Sequence, residues 1–263
     1  MFVYPNPDPV ALSIGPLHVR WYGLMYLVGF LGAWWLARRR AAQAHSTWTA
    51  TDVDDLIFFC AVGVILGGRL GWMLFYGTER ILADPFGVLR IWEGGMSFHG
   101  GLVGVLVALA MFASQRERAI ADVFDFTAPL PAIGFGAGRL GNFINGELWG
   151  KPTDVPWAVV VDGVALHASQ LYEALLEGLV LFVILWWFTA SPRPRLAPSG
   201  LFLLCYGVFR FAVEFVRVPD ANRGYLLFEW MTMGQILSLP MIIAGAWLLA
   251  VAYRRREPSG NYA

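Results

Sequence analysis

Seven apolar stretches run along this chain, and each is long enough to cross a membrane as a helix. About 18 or more apolar residues are needed to span a hydrocarbon layer of about 30 Å. The stretches lie near residues 20–37, 54–76, 97–113, 121–143, 169–189, 199–216 and 231–252. The chain is 57% hydrophobic and 14% charged, whereas charged residues make up about a quarter of a soluble domain. The sequence therefore predicts an all-α integral membrane protein with about seven transmembrane helices in one polytopic domain, residues 1–263.

The arginines predict how these helices are oriented. They cluster near residues 38–40, 116–118, 193–195 and 254–256, at alternate ends of the apolar stretches. Because cytoplasmic ends carry an excess of basic residues, we expect the N-terminus outside and the C-terminus in the cytoplasm. The longest outer segment, near 146–168, contains a predicted short strand over 155–161 and a turn at Gly163, and is expected to form a small outer-face loop region.

The fourth stretch is the least regular of the seven. It begins with Asp122 and Asp125, contains Pro129 and Pro131, and is rich in glycine. Proline removes a helical hydrogen bond and clashes with the preceding turn. We therefore expect a kinked or broken helix there.

Polar side chains from five predicted helices lie at a similar depth, toward the outer surface. Such groups are costly in lipid and often mark a functional site. The five residues are Tyr22, Arg69, His99, Arg139 and Arg210. Their shared depth predicts a pocket that opens to the outer leaflet or the outer water.

Apart from Tyr22, the candidate polar residues also have purely structural interpretations. Arg210 and Glu214 are four residues apart on one helical face and could neutralise each other. Arg69 lies among glycines and could join two helices. His99 could be a packed core histidine, while Asn142, Asn145 and Glu147 could cap the end of a span.

Arg139 is the residue that a structural role explains least well. Gly138 and Gly141 leave the backbone bare around it, so that a ligand could approach closely. The planar guanidinium binds phosphate oxygens through two parallel hydrogen bonds. Arginines on separate helices at headgroup depth therefore indicate a phospholipid headgroup as the ligand.

The sequence also excludes several classes of chemistry. Lys151 is the only lysine, so a polybasic nucleic-acid surface is not expected. Cys60 and Cys205 each lie in an apolar stretch, as small core residues do. Because no metal-binding, P-loop or serine-hydrolase motif is present, we expect no metal and no cofactor, and a nucleophile that the substrate supplies.

Four segments together resemble the prolipoprotein diacylglyceryl transferase family. They are residues 18–29 (HVRWYGLMYLVG), 94–104 (GGMSFHGGLVG), 138–147 (GRLGNFINGE) and 210–220 (RFAVEFVRVPD). They occur in the order typical of the family and reach from residue 18 to residue 220, so the resemblance spans most of the chain. The resemblance implies a bacterial cytoplasmic (inner) membrane enzyme with its active site toward the outer face.

The resemblance further implies the reaction and its residues. The family moves the diacylglyceryl group of phosphatidylglycerol to the lipobox cysteine thiol in the signal peptide of a preprolipoprotein, within the membrane lipid bilayer. The catalytic residues that match are His99, Arg139 and Arg210. The substrate-binding residues that match are Tyr22, Arg139, Asn142, Glu147, Arg210 and Glu214.

Two other functions are compatible with buried arginines. An anion or lipid transporter would need an arginine-lined polar path that continues to the cytoplasm, but the spans beneath Arg139 and Arg210 are mostly apolar. A different phospholipid-headgroup enzyme, such as a phosphatase, would need a metal cluster or an enzymic nucleophile. The sequence offers neither.

Overall fold

The chain folds mainly into helices, as the apolar stretches predict. The computed structural model describes residues 1–15, 17–79, 84–90, 94–219 and 224–262. Its helices are α1 (Trp21–Ala41), α2 (Ala50–Tyr76), α3 (Phe98–Gln115), α4 (Ile120–Thr127), α5 (Pro131–Ile144), α6 (Ser169–Phe188), α7 (Ala197–Val213) and α8 (Met233–Arg255), with a short 3₁₀ helix at Pro85–Leu89. Among the described residues, four helices, α2, α3, α6 and α8, are long and apolar enough to cross a membrane, and α7 is a shorter apolar helix.

The expected break in the fourth stretch is confirmed. α4 ends at Thr127 and α5 begins at Pro131. Proline is well tolerated at the first helical position, because a backbone N–H there would have no hydrogen-bond acceptor within the helix. The carboxylate of Asp125 on α4 accepts hydrogen bonds from the Leu196 and Ser199 amides, at 2.6 and 3.0 Å. Asp125 thus caps the start of α7.

Five short strands among the described residues qualify the all-α prediction. They are β1 (Phe2–Val3), β2 (Val10–Ile14), β3 (Leu17–Arg20), β4 (Val159–Val161) and β5 (Val164–Leu166). β1 pairs in parallel with β4, and β4 and β5 form a hairpin. Asp162 and Gly163 both have positive φ in its turn, as two-residue hairpin turns require. The strand predicted over 155–161 is present but shorter, since β4 covers only Val159–Val161.

The helices divide into two compact units. The first unit contains Met1–Leu36 and Asp125–Ser259, and the second contains Ala37–Phe124 and Gly260–Ala263. In the second unit, glycines on α2 pack against glycines on α3. A Cβ built on Gly67 would lie 2.4 Å from the Gly100 carbonyl oxygen, so the two backbones touch, as in small-residue interfaces of membrane helices.

The same kind of packing joins the helices of the first unit. A Cβ built on Gly178 of α6 would lie 2.6 Å from the Gly136 Cα atom of α5, and one built on Gly29 of α1 would lie 2.9 Å from the Gly134 Cα atom. Leu181 and Leu185 of α6 pack with Ala132 of α5 in a buried core. These contacts determine which polar side chains of α5 and α6 can meet.

Candidate active site

A buried carboxylate on α6, Glu173, binds three arginines in the first unit. The Glu173 side chain is fully buried. Its Oε2 atom lies 2.6 Å from Nε of Arg139, and its Oε1 atom lies 2.6 Å from Nη1 of Arg210 and 2.5 Å from Nη1 of Arg217. A buried charge is tolerated only when it is well paired. Glu173 therefore brings together arginines from α5, from α7 and from the segment after α7.

Glu214 supplies a second carboxylate to two of these arginines. It lies at the C-terminal end of α7, one turn after Arg210, and the two side chains form an ion pair. Its Oε1 atom also lies 3.0 Å from Nε of Arg217. The neutralisation that the spacing suggested is therefore present, within a network that Glu173 extends to Arg139.

A third carboxylate, Glu177, lies one turn further along α6. Its side chain is about 1% exposed, and its Oε1 atom lies 3.9 Å from Nη1 of Arg210. No group among the described residues hydrogen-bonds to this oxygen. The turn that follows Glu173, Ala174–Val180, is π-helical, and such insertions in α-helices are frequent at functional sites.

The sequence reasoning missed Glu173, Glu177 and Arg217. A signal for the glutamates was available, because two carboxylates four residues apart inside an apolar 20-residue helix are costly in a membrane. Arg217 lies in the last of the four segments, just beyond α7, and Asp220 of that segment lies outside the described residues.

The amides of the third segment connect Arg139 to Glu147. The Oδ1 atom of Asn142 accepts from Nη1 of Arg139 at 3.4 Å, and its Nδ2 atom donates to Oε2 of Glu147 at 3.3 Å. Asn145 donates to the other oxygen of Glu147, also at 3.3 Å. Glu147 is exposed, and it reaches Arg139 through Asn142.

The end of α5 is held in place by the N-terminus of the chain. The Tyr4 hydroxyl lies 2.8 Å from each of the carbonyl oxygens of Phe143 and Ile144, which share its single proton. Its ring packs edge-on against Trp149 at 5.0 Å. Burial raises the pKa of the Tyr4 hydroxyl, a group that is protonated at neutral pH even at the ordinary tyrosine pKa of about 10.

The Tyr22 ring packs against α5 at Gly141. A Cβ built on Gly141 would lie 3.2 Å from Cδ2 of Tyr22, and the Tyr22 and Tyr26 hydroxyls are 3.2 Å apart. The Tyr22 side chain is 37% exposed. It therefore borders the segment that carries Arg139 and Asn142 while remaining open to the surroundings.

The segment after Glu147 is tied to the segment after α7. The Gly150 amide donates to the His167 carbonyl at 2.8 Å, and the Lys151 amide donates to the Val216 carbonyl at 2.8 Å. A Cβ built on Gly150 would lie 2.6 Å from the Val216 carbonyl oxygen. Only glycine fits here, and this contact fixes the backbone immediately before Arg217.

The second unit contains the other two predicted polar residues, Arg69 and His99. Arg69 is 2% exposed and donates to backbone carbonyls of the segments before α3, including Gly87 at 2.8 Å and Val88 at 3.3 Å. Such contacts favour the structural interpretation of Arg69.

His99 lies in the first turn of α3, after the N-cap residue Ser97, and its side chain is exposed. Its ring packs edge-on against Phe98 at 5.6 Å. The structure thus brings Tyr22, Arg139, Asn142, Glu147, Arg210 and Glu214 into the first unit and places Arg69 and His99 in the second.

The three arginines around Glu173 keep hydrogen-bonding capacity for a ligand. Each guanidinium carries five N–H donors, and the Arg139 side chain remains 25% exposed, against 17% for Arg210 and 11% for Arg217. An anion that reaches Arg139 would meet a guanidinium that is ion-paired with Glu173. This arrangement is suited to binding a phosphate group.

Comparisons with known proteins give one consistent result. The model of the family described as prolipoprotein diacylglyceryl transferase matches residues 9–251. Three relatives are named phosphatidylglycerol–prolipoprotein diacylglyceryl transferase. The protein of Ectopseudomonas mendocina is 56% identical and covers 99% of both chains. That of Azotobacter vinelandii is 57% identical and covers 97% of this chain and 98% of its own. That of Methylococcus capsulatus is 58% identical, and the match covers 98% of this chain and 100% of the relative.

Proposed function

Because the chain belongs to the prolipoprotein diacylglyceryl transferase family, we propose that it transfers the diacylglyceryl group of phosphatidylglycerol to the lipobox cysteine of preprolipoproteins. The products are a thioether-linked lipid and glycerol phosphate, in the first step of lipoprotein maturation. The relatives carry the name of this enzyme, and nothing in them supports a transporter with an arginine-lined path.

The observation that carries the proposal is the arrangement of three guanidiniums around Glu173. Arg139 and Arg210 each bind one of its oxygens at 2.6 Å. Two guanidiniums that are paired with one carboxylate are suited to binding a phosphodiester that becomes a phosphate monoester. One hydrogen-bond donor at a developing anion typically contributes about 3–4 kcal/mol to catalysis.

The chemical step is a displacement at the glycerol carbon that carries the phosphate. The substrate thiolate attacks this carbon and forms a carbon–sulfur bond. The bond between the carbon and the phosphate ester oxygen breaks, and its electron pair leaves with glycerol phosphate. The proton that the thiol loses is taken up by a base, for which we propose His99. Arg139 and Arg210 stabilise the charge that the leaving phosphate gains.

The remaining residues bind and orient the substrates. Glu214 holds Arg210 by an ion pair, while Asn142 and Glu147 form hydrogen bonds beside Arg139 and are available to headgroup hydroxyls. Tyr22, which is exposed beside α5, lines the entrance from the lipid. No metal or cofactor takes part.

We further propose the location of the enzyme. Residues 1–263 form one polytopic domain of about seven spans in the bacterial inner membrane, with the N-terminus outside and the C-terminus in the cytoplasm. The outer-face loop region near 146–168 then lies on the same side as Arg139, where both the lipid and the lipobox of the signal peptide are accessible.

The test is a reconstituted transfer reaction. Purified protein is incubated with phosphatidylglycerol and a lipobox peptide, and mass spectrometry detects the thioether-linked diacylglyceryl peptide and glycerol phosphate. A peptide with serine in place of the lipobox cysteine, and vesicles of phosphatidylethanolamine alone, are the controls. Absence of the thioether product with the complete substrates, from correctly folded protein, would disprove the function.

A further inference from the structure

The first turn of α8 is built against the carboxylate of Glu214. Thr232, the N-cap residue of α8, has its Oγ1 atom 2.5 Å from Oε2 of Glu214, to which it donates. The Oγ1 atom of Thr232 also accepts a hydrogen bond from the backbone amide of Gln235 at 3.2 Å. A hydroxyl has one donor and two acceptor positions, so Thr232 makes both hydrogen bonds at once.

Gly234 brings the carboxylate close to the helix. A Cβ built on Gly234 would lie 2.5 Å from Cδ of Glu214 and 2.7 Å from its Oε1 atom, so no larger residue leaves Glu214 where it is. Thr232 and Glu214 are 3% and 5% exposed. The carboxylate therefore lies buried at the positive end of the α8 dipole.

The two oxygens of Glu214 have separate partners. Oε2 accepts from Thr232, whereas Oε1 faces Arg210 and Arg217. Because one oxygen is anchored to α8, the carboxylate cannot rotate freely, and the orientation of the other oxygen is determined. Arg210 is thereby aligned from two directions, by Glu173 of α6 and by Glu214.

We propose that Thr232 is a positioning residue of the transfer reaction. Its hydroxyl fixes Glu214, and Glu214 fixes the Arg210 guanidinium against which the phosphate leaves. Thr232 does not touch the substrate. The inference rests on the proposed function, and it adds to the site a residue from outside the four recognised segments.

A purely structural alternative exists, because Thr232 also caps α8. Asparagine and aspartate are about equally good N-cap residues. The amide of Thr232→Asn can still donate to Glu214, whereas Thr232→Asp places a second carboxylate against it. If Thr232 only caps the helix, the two variants behave alike; if it positions Glu214, only the aspartate variant fails.

Gly234→Ala tests the same point without altering the cap. Alanine favours a helix more than glycine does, but its Cβ would displace the Glu214 carboxylate. Gly134→Ala on α5 is the matched control, because a Cβ at Gly134 meets nothing within 4 Å. Thr49→Val, which removes the N-cap of α2 in the second unit, is the control for loss of a cap alone.

The experiment compares melting temperature in detergent with kcat and KM for phosphatidylglycerol and a lipobox peptide. For Thr232→Asp and Gly234→Ala we expect kcat to fall by about tenfold or more, since small misplacements of catalytic groups cost rate. KM should change far less, because the charge of Arg210 remains. Thr232→Ser and Thr232→Asn should recover most of the rate, and Thr49→Val should lower only the melting temperature.

Equal rates for the asparagine and aspartate variants, or full activity in Gly234→Ala, would overturn the positioning role. The failure of the proposed function is recognised separately, because wild-type protein would then form no thioether product. In that case, a double-mutant cycle between Thr232→Val and Glu214→Gln still tests the contact. A coupling in unfolding free energy that is indistinguishable from zero would refute the contact itself.

Discussion

The Oε2 atom of Glu173 lies 2.6 Å from Nε of Arg139, although the two residues are on different helices of the first unit. The contact is possible because Gly136 and Gly178 let α5 and α6 approach until their backbones touch. Small residues at one level of the interface thus bring together two long charged side chains one turn away. The glycine contact and the ion pair therefore belong to the same interface between α5 and α6.

Glu173→Gln should therefore damage the site more than any other isosteric change to its carboxylates. Removing one partner of a buried ion pair costs about 3–5 kcal/mol, and here three arginines lose their shared partner. We expect a lower melting temperature in detergent and loss of transfer activity.

Glu177→Gln is the matched control for this prediction. Glu177 is on the same helix and similarly buried, but among the described residues its ion pair is a long one, 3.9 Å from Arg210. We expect a smaller effect on both measurements. If the two glutamine variants lose the same activity and stability, Glu173 is not the organising carboxylate.

Arg139→Lys should fail nearly as completely as Arg139→Ala. Lysine keeps the positive charge but cannot present two parallel N–H donors to a phosphate. Its single nitrogen also cannot reproduce the two separate contacts of Arg139, with Glu173 through Nε and with Asn142 through Nη1. The measurement is the rate of thioether formation at matched protein level. Full activity of the lysine variant would show that charge alone is sufficient at this position.

His99→Gln distinguishes a base from a residue that only orients lipid. A free thiol has a pKa of about 8.5, so at neutral pH it needs a base, whereas above pH 8.5 it ionises unaided. If His99 removes the proton, the rate deficit of the variant should be large near pH 7 and shrink as the pH rises. A deficit that stays constant from pH 7 to 9, in folded protein that still binds phosphatidylglycerol, would leave the arginines as the catalytic groups.

Cysteine labelling tests the proposed orientation. Cys60 and Cys205 are first replaced by alanine, and single cysteines are then introduced at Asn6, Thr153, Gln43 or Ser191. An impermeant thiol reagent should label the first two positions in intact cells and the last two only after permeabilisation. The opposite pattern would place Arg139 on the cytoplasmic side and contradict an outward-facing site.

The class of the protein and most of its helices follow from hydropathy alone. Hydropathy is a property of each segment, and long apolar runs have few alternatives to helix in a membrane. The break before Pro131 was predictable for the same reason, since the backbone chemistry of proline acts locally. The four motif segments likewise identified the family without any knowledge of contacts.

Which charged side chains meet depends on how the helices pack. Arg210 has a carboxylate one turn away on its own helix, and the sequence could identify that pair from spacing alone. Its pairing with Glu173 of α6 depends on how closely α5, α6 and α7 pack, as does the anchoring of Glu214 by Thr232 of α8. Contacts between residues distant in sequence arise from the shapes of whole helix faces, and no local pattern records them.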